Sequence, residues 1–137
     1  FDDLAIGVGE DVGSISGAGG VEVIYGSSSG LSSTAARPDQ FWTQDSTNID
    51  DSAEPGDFFG SSLTVGDFNA DGKDDLAIGV TAENVGSIVD AGGVEVIYGS
   101  SSGLSATSAH ADQFWTQDST DIDNSAEDED LFGFSLG

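Results

Sequence analysis

Short stretches in which every second residue is hydrophobic recur along the chain. The segment from Val94 to Tyr98 places Val94, Val96 and Tyr98 on one face. The segment from Leu76 to Val80 has three large hydrophobic residues on one face and two small residues on the other. A period of two predicts β-strands, and small residues on the reverse face allow another sheet to approach closely.

Clusters of glycine, serine and aspartate, which are typical of turns, separate these stretches. No segment has a sustained helical period, so the sequence predicts an all-β chain. The four strands expected in the more complete half of the chain are residues 58–66, 74–80, 93–99 and 112–117. Three of the same strand types are expected earlier, at residues 3–8, 20–26 and 39–44.

The two halves of the chain are copies of one another. Gly92 through Ser105 repeats Gly19 through Ser32, and Asp112 through Thr120 repeats Asp39 through Thr47, each displaced by 73 residues. Four strands per repeat are typical of propeller blades, whereas the coils of a β-solenoid, the alternative fold, are usually shorter. We therefore predict β-propeller blades of four antiparallel strands, with two repeats of about 73 residues that are circularly out of phase.

The phase of the repeats predicts three segments. Residues 1–57 form a first repeat that lacks its first strand and the loop after it, and residues 58–130 form a complete second repeat. Residues 131–137 are the first strand of a next repeat. We interpret the chain as part of a longer repeat array. Because one end lacks the strand type that the other end carries, head-to-tail association as a ring or a fibre is expected.

The charge of the chain is strongly one-sided, with two Lys and Arg residues against 26 Asp and Glu residues and a net charge of −24. Such a surface repels nucleic acid and anionic lipid, since binding to phosphates needs Lys and Arg. It attracts divalent cations and needs counter-ions to offset its self-repulsion. The chain has no cysteine and so no disulfide bond. An exported protein of this kind would need another stabilising element, such as a bound metal. No apolar run is long enough to span a bilayer.

Side-chain oxygens fall at positions 1, 3, 5 and 9 of the segment from Asp67 to Asp75. Calcium takes six to eight oxygen ligands, and alternate side chains of a tight loop can supply them. The predicted side-chain ligands are Asp67, Asn69, Asp71 and Asp75. Lys73 is expected to give its backbone carbonyl, with its ammonium pointing away, and Gly72 permits a left-handed turn.

This loop is not an EF-hand, because Ile78 stands where that loop needs a glutamate and both flanks are predicted strands. Sites of this kind in extracellular modules bind calcium with dissociation constants of about 10⁻⁴–10⁻³ M. The alternative is a solvated acidic hairpin without an ion. The acidic connections 46–57 and 119–130 are expected to be solvated surface, with a second, weaker cation site as the alternative.

Phe59-Gly60, followed by the segment from Asp67 to Gly79, resembles the FG-GAP repeat of integrin α-chain propellers and their bacterial relatives. The sequence Asp-Gln-Phe-Trp-Thr-Gln-Asp at 39–45 and 112–118 is closer to the bacterial form. The resemblance implies a seven-bladed parent propeller with calcium in hairpin loops. The ligands it implies are Asp67, Asn69, Asp71, Lys73 through its carbonyl, and Asp75, with Asp3 matching the last position in the first copy. Where the family has Gly-Ala-Pro, this chain has Gly-Val-Thr at 79–81.

No catalytic constellation is found in the sequence, and we predict that the chain is not an enzyme. Gly26 to Gly30 matches the serine hydrolase elbow, but no helix follows and the only histidine is His110, so a turn is expected. Phe41-Trp42 and its copy Phe114-Trp115 are expected to pack between blades; a stacking platform for a sugar ring is the alternative.

These features predict a calcium-binding, extracellular or cell-surface β-propeller module that acts in adhesion or scaffolding and associates with copies of itself or with other blades of its parent. A protein or glycan ligand is possible, whereas nucleic acid and membrane insertion are not expected. The alternatives are a propeller lectin, a subunit of an extracellular filament, and the propeller portion of a larger surface enzyme.

Overall fold

The structure of the chain, a computed structural model, describes residues 1–34, 37–107 and 110–137. The first repeat folds into one antiparallel sheet in which β2 pairs with each of the other strands. The strands of this sheet are β1 (Leu4–Val8), β2 (Gly20–Ser27), β3 (Gly30–Ser32) and β4 (Gln40–Trp42). Both β3 and β4 lie along the edge of β2 that faces away from β1, at different positions along the strand.

The second repeat forms a second antiparallel sheet with the same order and one additional strand at its start. Its strands are β5 (Phe59–Gly66), β6 (Asp75–Val80), β7 (Gly93–Ser100), β8 (Gly103–Ser105) and β9 (Gln113–Trp115). The described residues contain no helix, which confirms the all-β prediction, and two such sheets are consistent with propeller blades. In the part of the chain that the structure describes, no helix is long and apolar enough to cross a membrane.

The strand prediction differs from the structure in three places. The short strands β3 and β8 were not expected, since each is the second arm of a tight hairpin within a Gly/Ser-rich segment. Strands β4 and β9 are shorter than predicted. Residues 131–136, expected to be a strand, form only one bridge, between Gly92 and Phe132. This segment has no neighbouring strand for a continuous ladder among the described residues, and a strand needs such a partner.

The main core lies in the seam between the two sheets. The face of β2 that carries Val21, Val23 and Tyr25 packs against the face of the second sheet that carries Leu76, Ile78 and Ile97. Each sheet therefore covers one face of the other. The buried members of this core are Val21, Val23, Tyr25, Phe59, Leu76, Ile78, Val80 and Ile97. Hydrophobic burial of this kind contributes about 25 cal/mol per Å² of apolar surface removed from water, so the seam supplies much of the stability of the chain.

Close approach of backbones depends on small residues on the reverse faces of β1 and β6. A Cβ atom on Gly7 would lie 2.1 Å from the carbonyl oxygen of Gly60. In the second sheet, a Cβ atom on Gly79 would lie 2.2 Å from the carbonyl oxygen of Gly133. The expected close approach of another sheet is therefore found behind β1, where Gly60 belongs to β5. Behind β6 the close neighbour is Gly133, which lies in the segment after the second sheet and not in a strand.

Candidate metal centre

The predicted calcium loop connects β5 to β6 as a hairpin. Gly66 pairs with Asp75 at the last register position of the two strands, so the intervening residues turn within a narrow space. The strand flanks that the sequence predicted are thus present. They hold the two ends of the loop beside one another.

The oxygens of the first two predicted ligands bind the backbone of their own loop. Asp67 Oδ1 accepts a hydrogen bond from the Asp71 backbone N–H at 2.9 Å, and its Oδ2 accepts one from Gly72 at 3.0 Å. Asn69 Oδ1 accepts a second bond from Asp71 N–H at 2.9 Å. Asp71 Oδ1 in turn accepts from the Lys73 backbone N–H at 2.9 Å. These bonds fix the loop as successive side-chain-to-backbone turns.

Two residues of the loop have left-handed backbone conformations. Gly72 has φ of 82°, as the sequence predicted. Ala70 has φ of 60°, which the sequence did not indicate, because a residue with a Cβ atom is disfavoured in this region by about 1–2 kcal/mol. The surrounding hydrogen bonds hold Ala70 in this conformation, so the loop is locally strained.

The last predicted ligand, Asp75, is almost completely buried, at 1% exposure. Its Oδ2 accepts the backbone N–H of Phe68 at 2.8 Å, and its Oδ1 accepts that of Gly99 at 2.8 Å. The carboxylate therefore ties the loop to the neighbouring strand β7. A carboxylate has about four lone-pair positions, so these two bonds leave further capacity on Asp75.

The position of the Lys73 side chain differs from the prediction. Its ammonium was expected to point away from the loop, but Nζ lies 2.8 Å from Asp71 Oδ2. The hydrogen bond and charge of Lys73 lower the pKa of Asp71 below its ordinary value. The prediction was wrong in this detail because the Asp71 carboxylate, two residues away, lies within reach of the long Lys73 side chain.

The donor set of this loop fits calcium in kind, since it consists of carboxylate, amide and carbonyl oxygens. The side chains do not converge as the spacing suggested. Over residues 1–34, 37–107 and 110–137, no three Asp, Glu, His or Cys side chains form a group that could hold a metal ion. The assignment of Asp67, Asn69, Asp71, Lys73 and Asp75 as ligands therefore stays a prediction.

Asp3, the predicted counterpart of Asp75 in the first repeat, makes the same structural contact. Its Oδ1 accepts the backbone N–H of Gly26 at 2.7 Å. The Arg37 guanidinium lies 3.8 Å from Asp3 Oδ2 and 4.6 Å from the centre of the Tyr25 ring. Asp3 and Asp75 line one cavity of about 310 Å³ between the sheets, but they bind different strands. The metal role of Asp3 also stays a prediction.

Of the two acidic connections, residues 46–57 lie partly in the seam. Gln44 Nε2 donates to Glu83 Oε2 at 2.7 Å and to Asp51 Oδ2 at 3.4 Å. Burial raises the pKa of Asp57 to about 6, and burial together with the charge of Asp51 raises the pKa of Glu83. Sequence reasoning missed these buried groups, because only the sheet-to-sheet packing distinguishes them from solvated acids.

The remaining features have structural roles. Trp42 and Phe114 pack against the core between the sheets, as predicted. Phe41 is 43% exposed, so the prediction of packing between blades was wrong for this residue. Trp115 packs against a second, smaller cluster on the other face of the second sheet. The turn expected in place of a hydrolase elbow is present between β2 and β3, and His110 is exposed.

The two antiparallel sheets have the same strand order apart from the additional strand β5, and each is built from one copy of the repeat. This arrangement places the chain in the class of blade-like β-repeat proteins. The family model described as FG-GAP repeat matches residues 59–97. This chain therefore carries an FG-GAP repeat, which runs from β5 through the candidate metal loop and β6 into β7. The family prediction is confirmed.

The chain is similar to phosphatidylinositol-glycan-specific phospholipase D of Mus musculus and of Rattus norvegicus. The mouse protein is 33% identical, and the match covers 77% of this chain and 13% of the relative. The rat protein is 36% identical, and the match covers 66% of this chain and 10% of the relative. Because so little of each relative is spanned, an enzyme role is not supported for this chain. No solved structure matches the chain.

Proposed function

We propose that the chain is a calcium-binding β-propeller module of an extracellular or cell-surface protein, acting in adhesion or scaffolding. The observation that carries this proposal is the loop between β5 and β6, whose side-chain oxygens already arrange its backbone. Side-chain-to-backbone hydrogen bonds restrict this loop and so reduce the conformational entropy that is lost when it binds an ion. The FG-GAP repeat and the similarity to phosphatidylinositol-glycan-specific phospholipase D support a location outside the cell.

Calcium binding in this proposal requires the side-chain oxygens of the loop to turn toward one point, and it displaces the contact between Lys73 and Asp71. The ammonium of Lys73 leaves Asp71, an exchange that costs little because exposed ion pairs contribute only about 0–1 kcal/mol. The ion then neutralises carboxylates in a chain with a net charge of −24. Calcium is thereby expected to stabilise the folded state as well as the loop.

The proposal includes association with other blades, either in copies of the chain or in a longer parent. The outer face of β1 exposes Leu4 and Ile6, whereas the equivalent Leu76 and Ile78 are buried under the first sheet. The exposed face therefore has the sequence of a face that accepts a neighbouring blade. Light scattering of the chain tests association between copies: a stable monomer at all concentrations would contradict it and leave only blades of a longer parent as neighbours. Electron microscopy would distinguish rings from filaments.

Thermal melting with and without calcium tests the metal site. A ligand at 100 times its dissociation constant stabilises the folded state by about 2.7 kcal/mol, which corresponds to roughly 10 °C in a chain of this size. Asp67→Asn keeps a hydrogen-bond acceptor but removes one ligand charge, so most of this shift is expected to disappear.

The matched control is Asp74→Asn, which removes the same charge from the same loop at a position not predicted to bind the ion. Asp74→Asn is expected to keep most of the calcium-induced shift. A wild-type melting temperature that does not change after complete chelation would contradict the metal assignment. Equal loss of the shift in both variants would show a general charge effect instead of a site.

A second candidate function is suggested by the two phospholipase relatives. In this alternative, the chain is the propeller portion of a larger enzyme and helps it engage phosphatidylinositol-glycan. Flotation with neutral phosphatidylcholine vesicles, with and without phosphatidylinositol-glycan, tests this alternative. Calcium-dependent binding only to the glycan-bearing vesicles would favour it, and equal absence of binding to both would remove it.

A further inference from the structure

The seam between the sheets contains a buried carboxyl group that no role in calcium binding requires. Glu95, in the middle of β7, is 1% exposed. Neither of its side-chain oxygens has a hydrogen-bond partner among the described residues. An unpartnered charged group in such a position costs several kcal/mol, so this carboxyl needs a specific way to lose or balance its charge.

The group that faces Glu95 is a second acid. Asp112 directly precedes β9, two residues before Phe114, which lies opposite Glu95 in the ladder. The two carboxyls are therefore neighbours on one face, the charge of Asp112 acts on Glu95, and Asp112 is 4% exposed. Asp50 and Asp51, on the connection that follows the first sheet, are the next charged groups facing the pair, and both are acids. The neighbours on β6 are apolar, with Ile78 directly opposite Glu95 in the ladder.

The hydrogen bonds distinguish the two carboxyls. Asp112 Oδ2 accepts the Asp50 backbone N–H at 2.8 Å, so the Asp112 carboxyl already has a hydrogen-bond donor. Glu95 accepts no such bond and faces only an acceptor. A proton on Glu95 turns this repulsive contact into an O–H···O⁻ hydrogen bond, which is a strong type of hydrogen bond.

We propose that the Glu95–Asp112 pair binds one proton, carried by Glu95, and that this shared proton closes the seam between the two sheets. The pair joins β7 of the second repeat to the connection of the first repeat through Asp112 and Asp50. Loss of the proton places two negative charges in contact inside the seam, which opposes packing of the sheets. Packing of the two sheets in the seam therefore depends on this proton and is separate from the calcium loop.

The expected pH dependence follows from the direction of the pKa change. Burial, followed by the hydrogen bond and charge of Asp112, raises the pKa of Glu95 from 4.5 to about 9. Between these values the folded chain binds one proton more than the unfolded chain. The stabilisation is fully present below pH 4.5 and is lost as the pH rises through about 9.

The first repeat supplies a matched control. Glu22 and Asp39 form the same pair at the equivalent positions, but no sheet covers their face in the part of the chain that the structure describes. Glu22 is only half-buried, so its proton uptake is expected to be weaker. Glu95→Gln and Glu22→Gln thus make the same chemical change on a face that the other sheet covers and on a face that no described sheet covers.

The first measurement is urea unfolding of wild type and both variants from pH 5.5 to 9. One proton changes the unfolding equilibrium constant by up to about tenfold per pH unit. The slope compared is the change of the logarithm of the unfolding equilibrium constant per pH unit. We expect Glu95→Gln to lower this slope by nearly one logarithmic unit per pH unit, and Glu22→Gln to lower it by less than half as much. Equal slopes in wild type and Glu95→Gln would overturn the proposal.

The second measurement detects the proton directly and does not depend on stability. In wild-type protein labelled with ¹³C-glutamate, the Glu95 carboxyl is expected to stay protonated at pH 7. Glu83, whose pKa is also raised, gives a second protonated signal, which the Glu83→Gln variant identifies. Absence of a protonated signal beyond that of Glu83 would overturn the proposal. Calcium that removes the Glu95 signal at pH 7 would show that the pair holds a cation instead, and would also overturn it.

Discussion

Strands β1 and β6 share the sequence Leu-Ala-Ile-Gly-Val but have opposite surroundings. Leu4 and Ile6 in β1 are 43% and 38% exposed, whereas Leu76 and Ile78 in β6 are 3% and 0% exposed. The first sheet covers this face of β6, and no described element covers the same face of β1. Burial in this fold is therefore determined by the neighbouring sheet and not by the local sequence.

The comparison gives internal controls for contacts in the seam. Several side chains that pack between the sheets, such as Leu76 and Ile78, have a counterpart in the same strand type that is more exposed to solvent. A substitution made at both positions changes the same atoms in the same strand type. The difference between the two effects then measures the contribution of sheet-to-sheet packing.

The largest difference in unfolding free energy between two equivalent substitutions is expected at the central isoleucine of β6 and β1. Ile78→Ala removes a fully buried side chain and leaves a cavity in the seam, which costs about 2–5 kcal/mol. Ile6→Ala removes a partly exposed side chain and is expected to cost about 1 kcal/mol. Urea unfolding in calcium-containing buffer measures both changes.

If Ile78→Ala does not fold, Ile78→Val and Ile6→Val give the same comparison on a smaller scale, with about 1 kcal/mol expected for the buried site. Equal destabilisation at the two positions would mean that β1 is covered in solution. Association of the chain through its open face would produce that result, and dilution would then restore the difference.

An intermediate difference is expected for the two aspartates that tie their sheets together. Asp75→Ala leaves the N–H groups of Phe68 and Gly99 without a partner beside a buried strand, which costs about 1–3 kcal/mol. Asp3→Ala frees only the N–H of Gly26 and removes an exposed ion pair with Arg37, so about 1 kcal/mol or less is expected.

Unfolding in the presence of a chelator measures these two variants without a contribution from calcium. A larger loss for Asp3→Ala than for Asp75→Ala would contradict the structural role assigned to Asp75. If Asp75→Ala loses further stability relative to wild type when calcium is added, the same residue also contributes to ion binding.

The sequence predicted the strands and the loop because both leave local signals. Alternation marked β6 and β7, and the spacing of oxygen-bearing residues marked the loop from Asp67 to Asp75. The direction of the Lys73 ammonium was mispredicted, since it depends on competition for Asp71 in three dimensions. The acids of the seam were missed because Glu95 and Glu22 have identical flanking residues, and only packing of the sheets separates them.

The smallest difference is expected for a side-chain amide that bridges the sheets. Gln40 Nε2 donates to the carbonyl oxygen of Leu104 at 3.0 Å, and its Oε1 accepts the Leu104 N–H at 3.0 Å. Its counterpart Gln113 accepts from the Tyr98 hydroxyl at 2.6 Å and has no backbone partner in the described part of another sheet.

Gln40→Ala therefore removes two hydrogen bonds across the seam. The Tyr25 hydroxyl oxygen still accepts the Leu104 N–H at 3.1 Å. This remaining bond limits the expected loss to about 1 kcal/mol. Gln113→Ala is expected to cost no more than about 0.5 kcal/mol, because water replaces an exposed bond. Hydrogen exchange of the Leu104 amide resolves so small an effect: faster exchange is expected in Gln40→Ala only, and equal rates in both variants would mean that the amide of Gln40 does not link the sheets in solution.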